Sequence, residues 1–185
     1  MLSTRINKPK LTALLAGAAM LLATAGCHSP SDPTPENFTA GLNAYFLEHS
    51  ECLLPNAPRF PYETGDPVEL KQMNALAAAQ LLTVSSEQSI RVSRYTPTTL
   101  GARVAPRFCY GHRVVTTIDS FTPPAPTKGF KETQVVYHYK IEDLPVWADS
   151  ESIRAAFPVM AHETSGTASD KATLASTIAG WKVPD

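Results

Sequence analysis

This chain of 185 residues has few of the features that announce an activity. It contains no G-x-S-x-G elbow, no P-loop, no G-x-G-x-x-G and no H-E-x-x-H, so the usual signatures of serine hydrolases, nucleotide sites and zinc proteases are missing. Its three cysteines, Cys27, Cys52 and Cys109, form no C-x-x-C, which removes the common zinc and thioredoxin patterns. Charged residues make up 18% of the chain and gather into no long run or basic stripe, which argues against nucleic acid and anionic-lipid surfaces as electrostatic partners. Beyond residue 26 there is no further apolar run, so no membrane span is expected there. No internal repeat is visible.

What is present is concentrated at the front. Arg5, Lys8 and Lys10 lead into LTALLAGAAMLLATAG, residues 11–26, which carries no charge and stops at Cys27. That run is short for a span, which needs about 20 apolar residues, and suits the core of an export signal behind a positive segment. The end, Ala25-Gly26-Cys27, resembles the lipobox of a bacterial lipoprotein. The resemblance implies cleavage before Cys27 and acylation of that cysteine. It also implies outer-membrane delivery in a Gram-negative cell, since His28 rather than Asp follows the cysteine, with the domain in the periplasm. Ala23-Thr24-Ala25 fits an ordinary A-x-A signal-peptidase site as well, and cleavage after Ala25 would leave a soluble periplasmic chain.

Removal of residues 1–26 takes away three basic side chains and leaves 159 residues, with 13 basic against 17 acidic. That length makes one domain with a real core. An odd cysteine in an exported protein needs a reason, and lipidation of Cys27 supplies it. Cys52 and Cys109 are then left to pair in an oxidising compartment, closing a loop of 58 residues, or to remain as two buried thiols.

Residues 27–34 read as a tether. Thr34 and Pro35 make a helix start, and Phe38, Leu42, Tyr45 and Phe46 recur at helical spacing to about residue 49. Four prolines make residues 52–67 irregular. Asp66, Pro67 and Glu69 start a second helix that runs to about Gln80. The following order of QLLTVSSEQ, SIRVSRY and a turn with Tyr95, Thr98 and Gly101 resembles the end of a winged-helix domain. Gln80 stands where that family often has Gly, and Pro97 where it usually has Leu. In an exported acidic domain the resemblance implies packing or protein contact rather than DNA binding.

From Arg107 the pattern becomes strands. Phe108, Tyr110, His112, Val114 and Ile118 share one parity of residues 108–121, and Cys109 the other, unless Gly111 makes a bulge. Residues 130–143 return antiparallel, with Val135, Tyr137, Tyr139 and Ile141 inward and Gln134, His138, Lys140 and Glu142 outward. Asp149 caps a short helix to about Phe157, stopped by Pro158, and residues 171–183 give a last strand or pair. The expected fold is α+β: N-terminal helices, in part winged-helix-like, followed by a small antiparallel β-sheet, all in one domain over 35–185.

Chemistry is thinly signalled. His28, His49, His112, His138 and His162 are scattered, and nothing in their spacing predicts a metal site or a cofactor. Cys109 with a distant histidine would make a nucleophile pair only as a free thiol. Glu142/Asp143 and Asp149/Glu151 read as a solvated rim and a helix cap. Tyr137, Tyr139, Trp147 and Trp181 would either plug the sheet core or line an aromatic cleft for glycan. The expectation is a lipid-anchored envelope protein with a non-catalytic structural or protein-binding role, its protein partner unnamed. The alternatives are an accessory enzyme or binding module on cell-wall glycan, and a protective lipoprotein that binds a toxin or hydrolase.

Overall fold

The computed structural model describes residues 29–184, apart from positions 88, 90 and 128. The expected leader, Cys27 and His28 lie outside the described residues. Helix α1 (Pro35–Glu48) begins where its sequence predicts. Thr34 is extended and its hydroxyl accepts the Asn37 amide, and Pro35 fills the first turn, where its missing N–H costs nothing. Phe38, Leu42 and Phe46 form its buried face.

Two short strands, β1 (Glu51–Cys52) and β2 (Tyr62–Thr64), interrupt the proline-rich segment. Helix α2 (Pro67–Ala78) follows, with the Asp66 carboxylate accepting the amides of Val68 and Glu69. Glu69 does not close a reciprocal capping box. Its carboxylate accepts the hydroxyls of Tyr62 at 2.8 Å and Thr64 at 2.5 Å, tying the helix start to β2 instead.

The hairpin β3 (Leu82–Glu87) and β4 (Val92–Pro97) joins β2 in a three-stranded antiparallel sheet of order β2-β4-β3. The residues of its closing turn have definite tasks. Tyr95 is fully buried and its hydroxyl donates to Asn74. Thr98 donates its amide to Leu81 O and its hydroxyl to Gln80 O, and accepts the amide of Gly101. A Cβ at Gly101 would lie 1.8 Å from Leu81 O, so this close backbone approach requires glycine. Gln80, at φ +62°, occupies the left-handed region that favours glycine after a helix.

The larger sheet is built from β5 (Cys109–Phe121), β6 (Ala125–Thr127), β7 (Phe130–Glu142), β8 (Ser169–Thr177) and β9 (Gly180–Lys182). Its order is β1-β5-β7-β8-β9, with β6 paired to β7, and every pairing is antiparallel. Between β7 and β8 come a 3-10 turn at 146–149, α3 (Glu151–Ala156) and α4 (Pro158–Glu163). Pro158 ends α3, as its sequence predicts, and also opens α4, since proline fits a first helical turn.

The fold is therefore α+β and strand-rich, with β1 and β2 preceding α2 and a second small sheet beside the main one. Two apolar clusters hold it together. Phe38, Leu42 and Phe46 of α1 pack on Val115, Val135, Tyr137, Tyr139, Leu174 and Trp181. The second cluster joins α2, the hairpin, α3 and α4 around Tyr95, Phe108, Tyr110 and Ile153. Ile141 borders both.

The expected tether is partly bound to the domain. Asn37 Nδ2 donates to Ser29 O at 2.9 Å and to Asp32 O at 3.0 Å. Trp181 Nε1 also donates to Asp32 O, at 3.0 Å. Residues 29–34 thus lie against α1 and β9. Among the described residues no helix is long and apolar enough to cross a membrane.

Candidate functional site

Cys52 and Cys109 face each other across the β1–β5 pair and form a disulfide with an S–S distance of 2.06 Å. The bond removes Cys109 as a thiolate nucleophile. It also fixes Glu51, the neighbour of Cys52, against the inner end of β5.

What happens next along β5 departs from simple alternation. Tyr110 is buried, as its parity predicts. Gly111 then adopts φ +136°, and a Cβ there would lie 2.2 Å from Glu142 O. The expected face is lost at this glycine. Arg113 and Val115 point toward α1, where alternation predicts His112 and Val114. Register shifts between Val115 and Thr117 and between Ile118 and Ser120 return Ile118 to the core. Asn43 of α1 accepts the Val115 amide at 2.9 Å and so fastens the helix to the irregular stretch.

The displaced Arg113 becomes the centre of the molecule's charge chemistry. Its guanidinium stacks over Tyr139, 4.4 Å from the ring centre, and lies 5.6 Å from the Phe46 ring centre. Nη2 donates to Glu163 Oε1 at 2.8 Å and Nη1 to Asp170 Oδ2 at 2.7 Å. Nε lies 2.6 Å from Glu51 Oε1 as an ion pair without hydrogen-bond alignment. Glu163, at the end of α4 and 7% exposed, also accepts the hydroxyls of Tyr110 and, at 3.4 Å, Tyr139. One cation thus meets three carboxylates drawn from β1, α4 and β8.

The surroundings tune these groups. Burial works against the Arg113 charge, but its hydrogen bond to Asp170 and the Glu51 charge outweigh that and raise its pKa. Burial raises Glu51 above the usual 4.5; Arg113 opposes this, and the charges of Glu163 and Asp170 add to it. Burial, then the hydrogen bond and charge of Glu163, push the Tyr110 phenol far above its ordinary 10.0. Tyr139 is also raised, first by burial, with Arg113 pulling the other way.

A groove of about 390 Å³ opens onto this cluster. Tyr45, His49 and Ser50 wall it on the α1 side, and Tyr137, Asp170 and Val183 on the sheet side. A slightly larger hollow of about 420 Å³ lies between α1 and β9, where Ala40, Gly41 and Ala44 share the helix wall with Glu48 and His49, and Lys182 lines the strand side. The smaller groove alone opens onto the Arg113 ion-pair cluster, with Asp170 exposed at it, which makes it the better candidate for recognition.

The histidines do not converge on it. His49 caps α1, stacks on Tyr45 at 3.8 Å and has Nδ1 2.7 Å from Tyr45 O. His112 has Nδ1 3.4 Å from Asp143 Oδ2, and His138 pairs with Asp119 at 2.9 Å. His162 is exposed. Among the described residues no three His, Cys, Asp or Glu side chains are arranged to hold a metal ion.

The four aromatics that would have lined a cleft divide between the two cores. Tyr137, Tyr139 and Trp181 are buried in one cluster, and Trp147 packs half-buried against the other. Cys27 lies outside the described residues. Compared with models of protein families, with curated proteins and with solved structures, the chain finds no match.

Proposed function

We propose that the chain is an outer-membrane lipoprotein, anchored through Cys27, whose periplasmic domain serves a non-catalytic structural or protein-binding role in the cell envelope. One observation carries the reading. The Cys52–Cys109 disulfide accounts for two of the three cysteines and suits an oxidising compartment. The remaining cysteine follows an uncharged segment behind three basic residues, where a lipoprotein cysteine stands. A diacylglyceryl group plus an N-acyl chain supplies the multiple chains that stable anchoring requires.

The binding half of the reading rests on the groove beside Arg113. Its ionised groups are committed to one another, which suits a rigid docking surface better than proton transfer. With all three carboxylates ionised the cluster has an excess of negative charge, and Asp170 is 46% exposed at its rim. A basic side chain of a protein partner is the complement of that rim. The winged-helix-like turn around Thr98 is read as packing support for α2.

Fractionation tests the anchor, and site-specific crosslinking tests the groove. The wild-type chain sediments with the outer membrane, whereas Cys27→Ser leaves the membrane fraction. A photocrosslinker at His49 yields a discrete adduct that Asp170→Lys abolishes, while one at Val84 does not. Sedimentation that survives Cys27→Ser contradicts the anchor. Adducts that are absent at position 49, or equal at 49 and 84, contradict binding at the groove.

A further inference from the structure

The end of the domain nearest residue 27 presents a set of features that the groove does not explain. The turn between β8 and β9 is held rigidly: Thr177 Oγ1 donates to Gly180 O at 2.7 Å and accepts the Ala179 amide at 3.2 Å. Its tip is Ile178, an apolar side chain left fully exposed (104%). A flexible loop could fold such a side chain back on the domain; this turn fixes it outward.

The described N-terminal segment passes the base of the same turn. A Cβ on Gly180 would lie 3.3 Å from Pro30 O, and Trp181, the next residue, holds Asp32 O. Ser29 and Pro30 are therefore fastened beside β9. Only His28 separates Ser29 from Cys27 in the sequence, and covalent geometry keeps the two Cα atoms within about 7.6 Å of one another. A chain attached to Cys27 therefore starts within that reach of the segment fastened beside Gly180.

A second exposed apolar group shares this end. β7 pairs with β8 through Glu132↔Ala175, and continuing that antiparallel register sets Phe130 level with Thr177. Phe130 is 56% exposed. Lys131 is exposed next to Phe130, where it suits lipid phosphates. By contrast, the groove around Arg113 is walled on its helix side by the last turn of α1, the end opposite Thr34.

From these positions we infer that this end of the domain is a membrane-contacting face. Ile178 and Phe130 enter the interfacial layer of the bilayer beside the acylated Cys27, and the groove is turned toward the periplasm. The inference rests on the anchor proposed above. It adds that the domain is seated on the lipid in one orientation rather than swinging on a tether, because the bound residues 29–34 leave two peptide links between Ser29 and the anchor.

The test uses the full lipidated chain, purified from membranes and reconstituted into phosphatidylethanolamine/phosphatidylglycerol vesicles. With Cys27 acylated and Cys52 bonded to Cys109, single substitutions Ile178→Cys, Phe130→Cys and Val146→Cys each supply a thiol for a polarity-sensitive dye. Val146 is exposed just beyond the opposite end of β7. The expected result is blue-shifted emission at 178 and 130 that spin-labelled lipids quench, with water-like, unquenched emission at 146. Vesicle-bound chain with equally water-like dye at all three positions overturns the seating and leaves the anchor intact. Chain that carries no lipid on Cys27 overturns both.

Discussion

Arg113 Nη2 and Glu163 Oε1 lie 2.8 Å apart, 50 positions apart in the chain, where the two apolar cores adjoin. Through this pair α4, which belongs to the second core, is joined to the strand that carries α1. Arg113 is 14% exposed and Glu163 side-chain exposure is 9%, so neither charge has much water to fall back on.

Removing the cation alone therefore strands a buried carboxylate. Arg113→Ala is expected to lower stability by about 3 to 5 kcal/mol, the range for breaking a buried pair from one side. The double variant Arg113→Ala/Glu163→Gln should recover part of that loss. Urea unfolding of the three proteins measures it; a double variant no more stable than the single one would show that the carboxylate is not what makes the loss large.

Glu51 gives the cluster a pH signature. Its pKa in the folded protein is raised above 4.5 by burial, so the folded state holds its proton to a higher pH than the unfolded chain. Folding gains from this group as pH falls through the raised value toward 4.5, and loses that gain as pH rises again. Glu51→Gln cannot titrate. The stability of wild type relative to the variant should rise on acidification over that window. A difference that is flat or falls would reverse the assignment.

The turnover of β5 at Gly111 is itself testable. At φ +136° with Glu142 O only 2.2 Å from a Cβ, Gly111→Ala meets both strain and a backbone clash. The expected loss is more than about 1 kcal/mol. Chemical shifts of Arg113 and Val115 should move with it, whereas a surface change such as Lys140→Ala should leave them in place. Unchanged stability in Gly111→Ala would mean that the strand reaches Arg113 by another route.

Much of this architecture is legible in the residues. Thr34-Pro35 and Asp66-Pro67 mark both long helices by cap chemistry, and Val135, Tyr137 and Tyr139 show the inner face of β7 by plain alternation. The charge cluster is not legible in the same way. Alternation assigns Arg113 to solvent, and one glycine reverses that by letting the strand turn over. Gly111 inside the alternating run is the signal, but the partners of Arg113, Glu51, Glu163 and Asp170, come from segments far apart in sequence, and no local pattern joins them. The tether misleads for a related reason. Its prolines and serines read as a spacer, and the bonds that hold it come from Asn37 and Trp181.

The disulfide closes a long loop, with a sequence separation of 57. The chain-entropy model assigns about 4 kcal/mol to such a closure. Cys52→Ser/Cys109→Ser should unfold at lower urea by that order, and reduction of the wild-type protein should produce the same shift together with a mass gain of two hydrogens. If reduction changes neither the mass nor the unfolding midpoint, the bond does not form.

The central claim is that Cys27 is the first residue of the mature protein and carries the lipid. The direct measurement is the intact mass of the protein extracted from cell envelopes, with sequencing of its N-terminal peptide. The account predicts a chain that begins at Cys27, with a mass increased by a diacylglyceryl group and an N-acyl chain, and that partitions into detergent. A chain that begins at Gly26, unmodified and recovered from the aqueous periplasmic fraction, would contradict it.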